Sequence, residues 1–213
     1  MRSKALDSEK SKLKLTPRQR ETLIGILLGD AHLETRDKGR TYRLKIEQSA
    51  RHEAYVRHLK LIFDPWVLTG PRQRTKTSSQ GTETISWAFN TVSHAAFRFY
   101  AHQFYVDNKK QVPKLIHRWL TPRGMAFWFM DDGSIKSRQS KGVIFNTQGF
   151  DTPGVERLIQ VLVTKFQLKA KRRHQTDGDQ IYVSGESYEH FVRLIDDWVI
   201  PEMRYKLPQA RRT

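Results

Sequence analysis

The chain contains no cysteine. Disulfides, zinc knuckles, Cys-based zinc fingers and thiol catalysis are thereby excluded. It also lacks any apolar run near the roughly 18 residues a membrane span needs, and no lipidation motif is present, so the expected partners do not include a membrane. The amino terminus, MRSKALDSEKSKLKL, has no apolar stretch of signal-peptide length. Residues 1–15 are expected to form a flexible basic arm, with appended vector sequence as the alternative. Acids are scarce: 22 Asp and Glu stand against 38 Lys and Arg, a formal charge of +16. The isoelectric point is near 10.2. Such an excess points to a polyanion, and without membrane features nucleic acid is favoured. The bland alternative is a generally basic soluble protein.

What is present suffices for a core. Hydrophobic residues make up 38% of 213 and aromatics 11%, enough for one sizeable domain or two small fused ones. LTPRQRETLIGILLGD starts like a helix, with Thr16 as cap, Pro17 in the first turn and Ile24, Leu27 and Leu28 continuing an apolar face. TYRLKIEQS alternates as a strand does, Leu44 and Ile46 on one face and Arg43, Lys45 and Glu47 on the other. With AHLETRDKGR before it, the segment predicts a hairpin turning near Lys38-Gly39. A helix, a hairpin with a Ser/Gly turn and another helix follow. After Pro113 the order recurs: LTPRGMAFWFMDD starts at Thr121-Pro122, DTPGVERLIQVLVTKF begins with a cap and a proline, and a late hairpin is expected to turn at Asp177-Gly178. Helix, hairpin, helix, hairpin, helix thus occurs twice. Asp30 aligns with Asp132, Gln48 with Gln148, and Pro113 with Pro208. An internal repeat governs architecture, and a duplicated unit with a basic face suits two-fold-like duplex DNA. The repeats are expected over 16–113 and 114–213.

The segments LIGILLGD and MAFWFMDD are apolar almost all round, which predicts helices buried on every side. Gly25 and Gly29 would let such helices approach closely, by analogy with small-residue contacts in membrane helices. Each segment ends in an acid, which faces the negative end of the helix dipole at a cost of about 0.3–1 kcal/mol. A cation removes that penalty and the mutual repulsion of the acids. Oxygen ligands, no cysteine and a polyanionic partner suggest Mg²⁺. With a phosphodiester, they suggest hydrolytic strand cleavage. The competing explanation for Asp132-Gly133, a simple hairpin start, fits Asp30-Ala31 less well.

These two segments resemble the degenerate motifs of single-chain LAGLIDADG homing endonucleases. GDAHLETRDKGRTY, NKKQVPK, FNTQGF and IPEMRYKLP extend the resemblance over residues 16–208. They are similar to the subfamily containing the monomeric omega-intron endonuclease of mitochondrial large ribosomal RNA genes. The resemblance implies an α+β fold of two pseudo-symmetric αββαββα repeats forming a DNA-binding saddle of antiparallel sheets. It implies metal binding by the acids Asp30 and Asp132 and by the carbonyls of Gly29 and Asp131. The expected metal is Mg²⁺, with Mn²⁺ as a possible substitute. It implies a catalytic lysine before a proline in each half, Lys110 and Lys206, with Lys109 left open because the spacing to proline differs. Gln48 and Gln148 are expected as water-contacting polar residues. Phe127 and Asp131 depart from the small residues Gly25 and Gly29, which implies asymmetric helix packing.

The expected DNA contacts are Arg36, Lys38, Arg40, Arg43, Lys45, Arg72, Arg74 and Lys76 in the first half. In the second they are Lys136, Arg138, Lys141, Lys169, Lys171, Arg172 and Arg173. About a third are expected to be ordinary solvated residues. The expected partner is double-stranded DNA at an intron insertion site in an rRNA gene, bound by one chain without an obligate protein partner. The expected setting is a mitochondrion or chloroplast, with a bacterial cytoplasm as the alternative. Two other functions compete. One is a catalytically idle relative acting as an intron RNA maturase or DNA-binding regulator. The other is a ribosome-associated RNA-binding protein, which would leave the paired acids unexplained.

Overall fold

The computed structural model describes residue 10 and residues 12–137 and 139–208. Most of the expected basic arm and Arg138 lie outside the described residues. Among those described, no helix is long and apolar enough to cross a membrane.

The chain is mixed α/β with antiparallel sheets, and the repeated order is present. In the first half, α1 (Pro17–Leu28), β1 (His32–Glu34), β2 (Arg43–Ser49), α2 (Glu53–Ile62), β3 (Arg72–Thr77), β4 (Glu83–Asn90) and α3 (Arg98–Phe104) follow one another. A short ribbon, β5 (Tyr105–Val106) with β6 (Lys109–Lys110), and α4 (Ile116–Trp119) lead on. The second half has α5 (Pro122–Asp132), β7 (Gly133–Ser137), β8 (Ser140–Phe145), α6 (Thr152–Thr164), β9 (Ala170–Gln175), β10 (Gly178–Val183) and α7 (Tyr188–Ile195). The sheets have matching strand orders, β1-β2-β4-β3 and β7-β8-β10-β9.

Local chemistry sets the helix starts. Thr16 Oγ1 accepts from the Gln19 amide at 3.2 Å while Gln19 Oε1 accepts from the Thr16 amide at 3.0 Å, a reciprocal capping box. Thr121 caps α5 through the Gly124 amide at 3.2 Å, and Asp151 caps α6 through the Gly154 amide at 2.9 Å. In β2, Leu44, Ile46 and Gln48 are buried while their neighbours are partly exposed, so the period of two holds. The first hairpin turns where expected, with Lys38 and Gly39 at positive φ. The last one differs. Gly178 already pairs with Gln175, leaving Thr176-Asp177 as a two-residue loop rather than Asp177-Gly178. Gly178 is needed for another reason: a Cβ there would press on the Gln148 backbone.

The described residues divide into two compact units that are cut differently from the repeats. One holds the described part of 1–20 with Asp30–His102; the other holds Glu21–Gly29 with the described part of 103–213. In the first unit α2 packs on β2 and β4, burying Tyr55, Val56, Leu59 and Ile62. Gln19, in the first turn of α1, donates to Ile62 O at 2.8 Å and accepts from the Trp66 indole at 3.3 Å. In the second unit α7 packs on α5, and α6 on β9 and β10. Met125 through Met130 are all buried, which accounts for an α5 sequence apolar on every side. The rest of α1 belongs here, where Gly25 and, just past the helix, Gly29 allow close approach. A Cβ on Gly25 would overlap the Gly124 carbonyl, and one on Gly29 would overlap the Asp131 side chain. Arg123 Nε completes the junction, donating to Thr22 Oγ1 at 3.1 Å.

Candidate active site and nucleic-acid face

Each acid-bearing segment ends against a lysine. Lys110 on β6 donates from Nζ to the Gly29 carbonyl at 2.5 Å. Lys206 ends the 3₁₀ turn Pro201–Lys206 and donates to the Asp131 carbonyl at 2.6 Å and the Met130 carbonyl at 2.5 Å. Gly29 directly precedes Asp30, and Asp131 directly precedes Asp132. The two contacts are therefore equivalent under the repeat. Of the lysines left open in NKKQVP, Lys110 reaches the carbonyl and Lys109 is exposed.

The support around the acids is not equivalent. Asp30 Oδ2 accepts from Gln48 Nε2 at 2.8 Å, and Gln48 Oε1 lies 3.2 Å from His52 Nδ1. With Gln48 Nε2 donating to Asp30, Oε1 is left to accept in the His52 contact. Both Gln48 and His52 are buried. In the second half the Asp132 carbonyl accepts from the Asn146 backbone at 3.0 Å and from Asn146 Nδ2 at 2.8 Å. Asn146 Oδ1 accepts from Gln180 at 2.8 Å. His52, Asn146 and Gln180 were not among the sequence candidates. For His52 a signal existed, a residue four beyond Gln48 at a helix start.

The pairing of Gln48 with Gln148 does not survive the strand register. Leu33 pairs with Leu44 as Ile135 pairs with Val143. Four residues beyond Leu44 stands Gln48; four beyond Val143 stands Thr147. Thr147 is buried, and its hydroxyl donates to Asp179 O at 2.6 Å. Gln148 reaches the hairpin loop instead, donating to Asp177 at 3.4 Å. A shift of one residue turns a strand side chain to the other face.

In each half the acid and the carbonyl just before it are oxygen donors of the kind a hard cation takes, and each of those carbonyls, of Gly29 and of Asp131, already faces a lysine ammonium. Among the described residues no group of three or more His, Asp or Glu side chains gathers as a metal cage. Mg²⁺ sites often use only one or two protein carboxylates, with substrate phosphate and water completing the shell.

The basic candidates sort by strand face. Arg72, Arg74 and Lys76 on β3 share parity with one another, as do Arg43 and Lys45 on β2, and these strands flank β4. Arg43 is tied to Glu34 at 2.5 Å. Arg36, Lys38 and Arg40 are exposed on the β1–β2 loop. Asp37 organises that loop: it accepts from the Thr41 hydroxyl at 2.6 Å, the Thr41 amide at 2.9 Å and the Thr35 hydroxyl at 2.9 Å. The Thr41 hydrogen bonds are the main cause of its carboxyl falling to about 2.

In the second unit Lys136 and Lys171 lie over the Tyr182 ring, 5.0 and 5.9 Å from its centroid. Arg173 pairs with Gln180 on the same face as Tyr182. Arg172 and Lys141 depart from that face, while Lys169 shares the parity of Lys171 and Arg173 but is engaged by an acid. Arg172 is 3.4 Å from Glu156 on α6 and 3.5 Å from buried Asp179. Lys141 pairs with Glu189 on α7 at 2.7 Å, and Lys169 pairs with Glu186 just before it. Neighbouring strand residues point oppositely, so Arg172 and Arg173 lie on opposite faces of the sheet. Asp179 is held below the usual carboxylate range, first by the hydrogen bond from His174 and then by that from Thr152.

Residues 20–191 match the LAGLIDADG DNA endonuclease family. The chain belongs to that family. The homing endonuclease I-WcaI, solved bound to its DNA recognition sequence, superposes with a TM-score of 0.92 at 31% identity, over 98% of this chain and 95% of that one. A probable intron-encoded endonuclease of Wickerhamomyces canadensis is 34% identical over 94% of this chain and 88% of its own length. The cytochrome b mRNA maturase bI2 of Debaryomyces hansenii is 30% identical over 88% of this chain and 72% of its own.

Proposed function

We propose that this LAGLIDADG protein is a site-specific homing endonuclease. It hydrolyses both strands of duplex DNA with Mg²⁺ at a long asymmetric target, and it acts as a monomer whose two repeats replace the two subunits of a dimer. The observation that carries this is the repeated contact of a lysine ammonium with the carbonyl just before each acid. Lys110 and Lys206 thus hold the same place in both repeats, each beside the residue proposed to bind metal.

Asp30 and Asp132, with the Gly29 and Asp131 carbonyls, would hold the cation, which supplies charge to the phosphodiester oxygens and acidifies water. Lys110 and Lys206 fix those carbonyls and place a positive charge beside each acid, where negative charge grows on the pentacovalent phosphate. Gln48 orients the Asp30 carboxylate, and His52 holds Gln48 in that orientation. The sheet faces carrying Arg43, Lys45, Arg72, Arg74 and Lys76, and Lys136, Lys171 and Arg173, bind the duplex. The target is an intron insertion site in a large-ribosomal-RNA gene, and the setting is an organelle. A plasmid bearing the uninterrupted rRNA gene tests this: it is linearised with Mg²⁺ and stays intact with EDTA.

The similarity to a maturase favours one second function, assistance of intron RNA folding on the same scaffold. That alternative stands if the protein promotes splicing and cuts no DNA.

A further inference from the structure

One acid sits in the middle of the basic face of the first sheet. Glu47 on β2 accepts from Lys76 Nζ at 2.5 Å and from the Ser86 hydroxyl at 2.9 Å. Arg74 lies at 3.6 Å and Lys45 at 3.9 Å. Strand order explains how β2 and β3 side chains meet. They lie on either side of β4, roughly 10 Å apart. On β4 the intervening residues are small: Ala88 pairs with both Glu47 and Arg72, and Ser86 with Arg74. Long side chains therefore cross above Ala88 and Ser86. Burial alone would raise the Glu47 carboxyl, but the hydrogen bonds from Lys76 and Ser86 and the nearby charges outweigh it and hold it below its usual value. Glu47 is thus an anion at neutral pH, fixed among three cations.

On a surface meant for phosphates alone, a fixed carboxylate is a liability. On a surface that reads base edges it has a use. In the major groove cytosine offers an amino donor at N4, and its paired guanine offers the acceptors O6 and N7. A carboxylate flanked by Arg and Lys presents the complementary set, one acceptor beside several donors. We propose that Glu47, with Arg74 and Lys76, specifies a single C·G base pair, the carboxylate accepting from cytosine N4 and the cations donating to guanine. This rests on the endonuclease function above and adds a residue to the specificity determinants. Glu47 is also a positioning residue for Arg74 and Lys76, whose long side chains would otherwise sample many rotamers.

The test is selection of bound sequences from randomised duplex DNA in Ca²⁺, followed by sequencing, for the wild type, Glu47→Gln and Glu47→Ala. The expected wild-type motif contains a C·G pair preferred about tenfold over other pairs. In Glu47→Gln, which keeps the shape and the Ser86 contact, that preference falls at one position while the rest of the motif stands. Glu47→Ala relaxes the same position. An unchanged motif in both variants, or a uniform rise in affinity at all sequences, overturns the assignment and leaves Glu47 a mere counter-charge. Enrichment of no motif by the wild type sinks the endonuclease function itself, a separate outcome.

Discussion

The two halves hold their acids by different means. In the first, a buried glutamine amide grips the Asp30 carboxylate directly and leans on His52. In the second, an asparagine grips the Asp132 backbone and leans on Gln180. Thr147, at the position matching Gln48, has turned to a structural task, donating to Asp179. The lysine-to-carbonyl contact alone is the same in both. Under the proposed chemistry that contact is needed at both acids, whereas the polar support can diverge because many arrangements orient an acid. The halves should accordingly respond alike to loss of an acid or a lysine, and unlike to loss of the support.

The largest expected effects fall on the acids. Asp30→Asn and Asp132→Asn keep the side-chain shape but remove the charge that holds a hard cation, so plasmid cleavage should fall by roughly 10³-fold or more while DNA binding in Ca²⁺ persists. Asp131→Asn keeps the carbonyl that Lys206 contacts and should retain substantial cleavage. Unequal losses in Asp30→Asn and Asp132→Asn would break the equivalence.

Lys110→Met and Lys206→Met come next, each expected to slow cleavage about 10²–10³-fold, with Lys109→Met near wild type. A large effect at Lys109 would reassign the first lysine.

Gly25→Ala should destabilise rather than inactivate. Its new methyl meets the Gly124 backbone carbonyl, and overpacking of this kind costs about 1–3 kcal/mol, readable as a lowered Tm. A Tm equal to wild type would mean that the helices have room to part.

The smallest effects separate the halves. Gln48→Ala should lower cleavage with little change in stability. Thr147→Ala should do the reverse, since a buried Asp179 carbonyl loses its donor at about 1–3 kcal/mol. Equal behaviour of the two would restore the symmetry that the register denies. Gln148→Ala should leave both activity and stability close to wild type.

Much of the fold was legible because it rests on local chemistry. Thr16, Thr121 and Asp151 announce their helices by capping. Leu44 and Ile46 announce a strand by alternation. The apolar surround of Met125–Met130 announces a helix with no wet side. The resemblance pointed to Lys110 and Lys206, and the structure sets each against the carbonyl just before an acid. Quantities that turn on a single residue of register were not. Gln148 looks like the partner of Gln48 in a linear alignment, yet strand pairing selects Thr147. Arg172 and Arg173 look alike until parity sends one to Glu156 and the other to the polar face. Lys141 and Lys169 are held by acids on α7 and the turn before it, which are distant in sequence. Asn146 escaped notice, and Glu47 was legible only as an outward strand residue, because their partners stand across the strand.

The most direct measurement of the central claim is sequencing of new ends in a plasmid library of intronless organellar gene fragments, exposed to the wild type, Asp30→Asn and Asp132→Asn. The expected result is one recurrent double-strand break with Mg²⁺, absent with EDTA and absent in both variants. Breaks made equally well by either variant, or no break by the wild type with Mg²⁺, would contradict it.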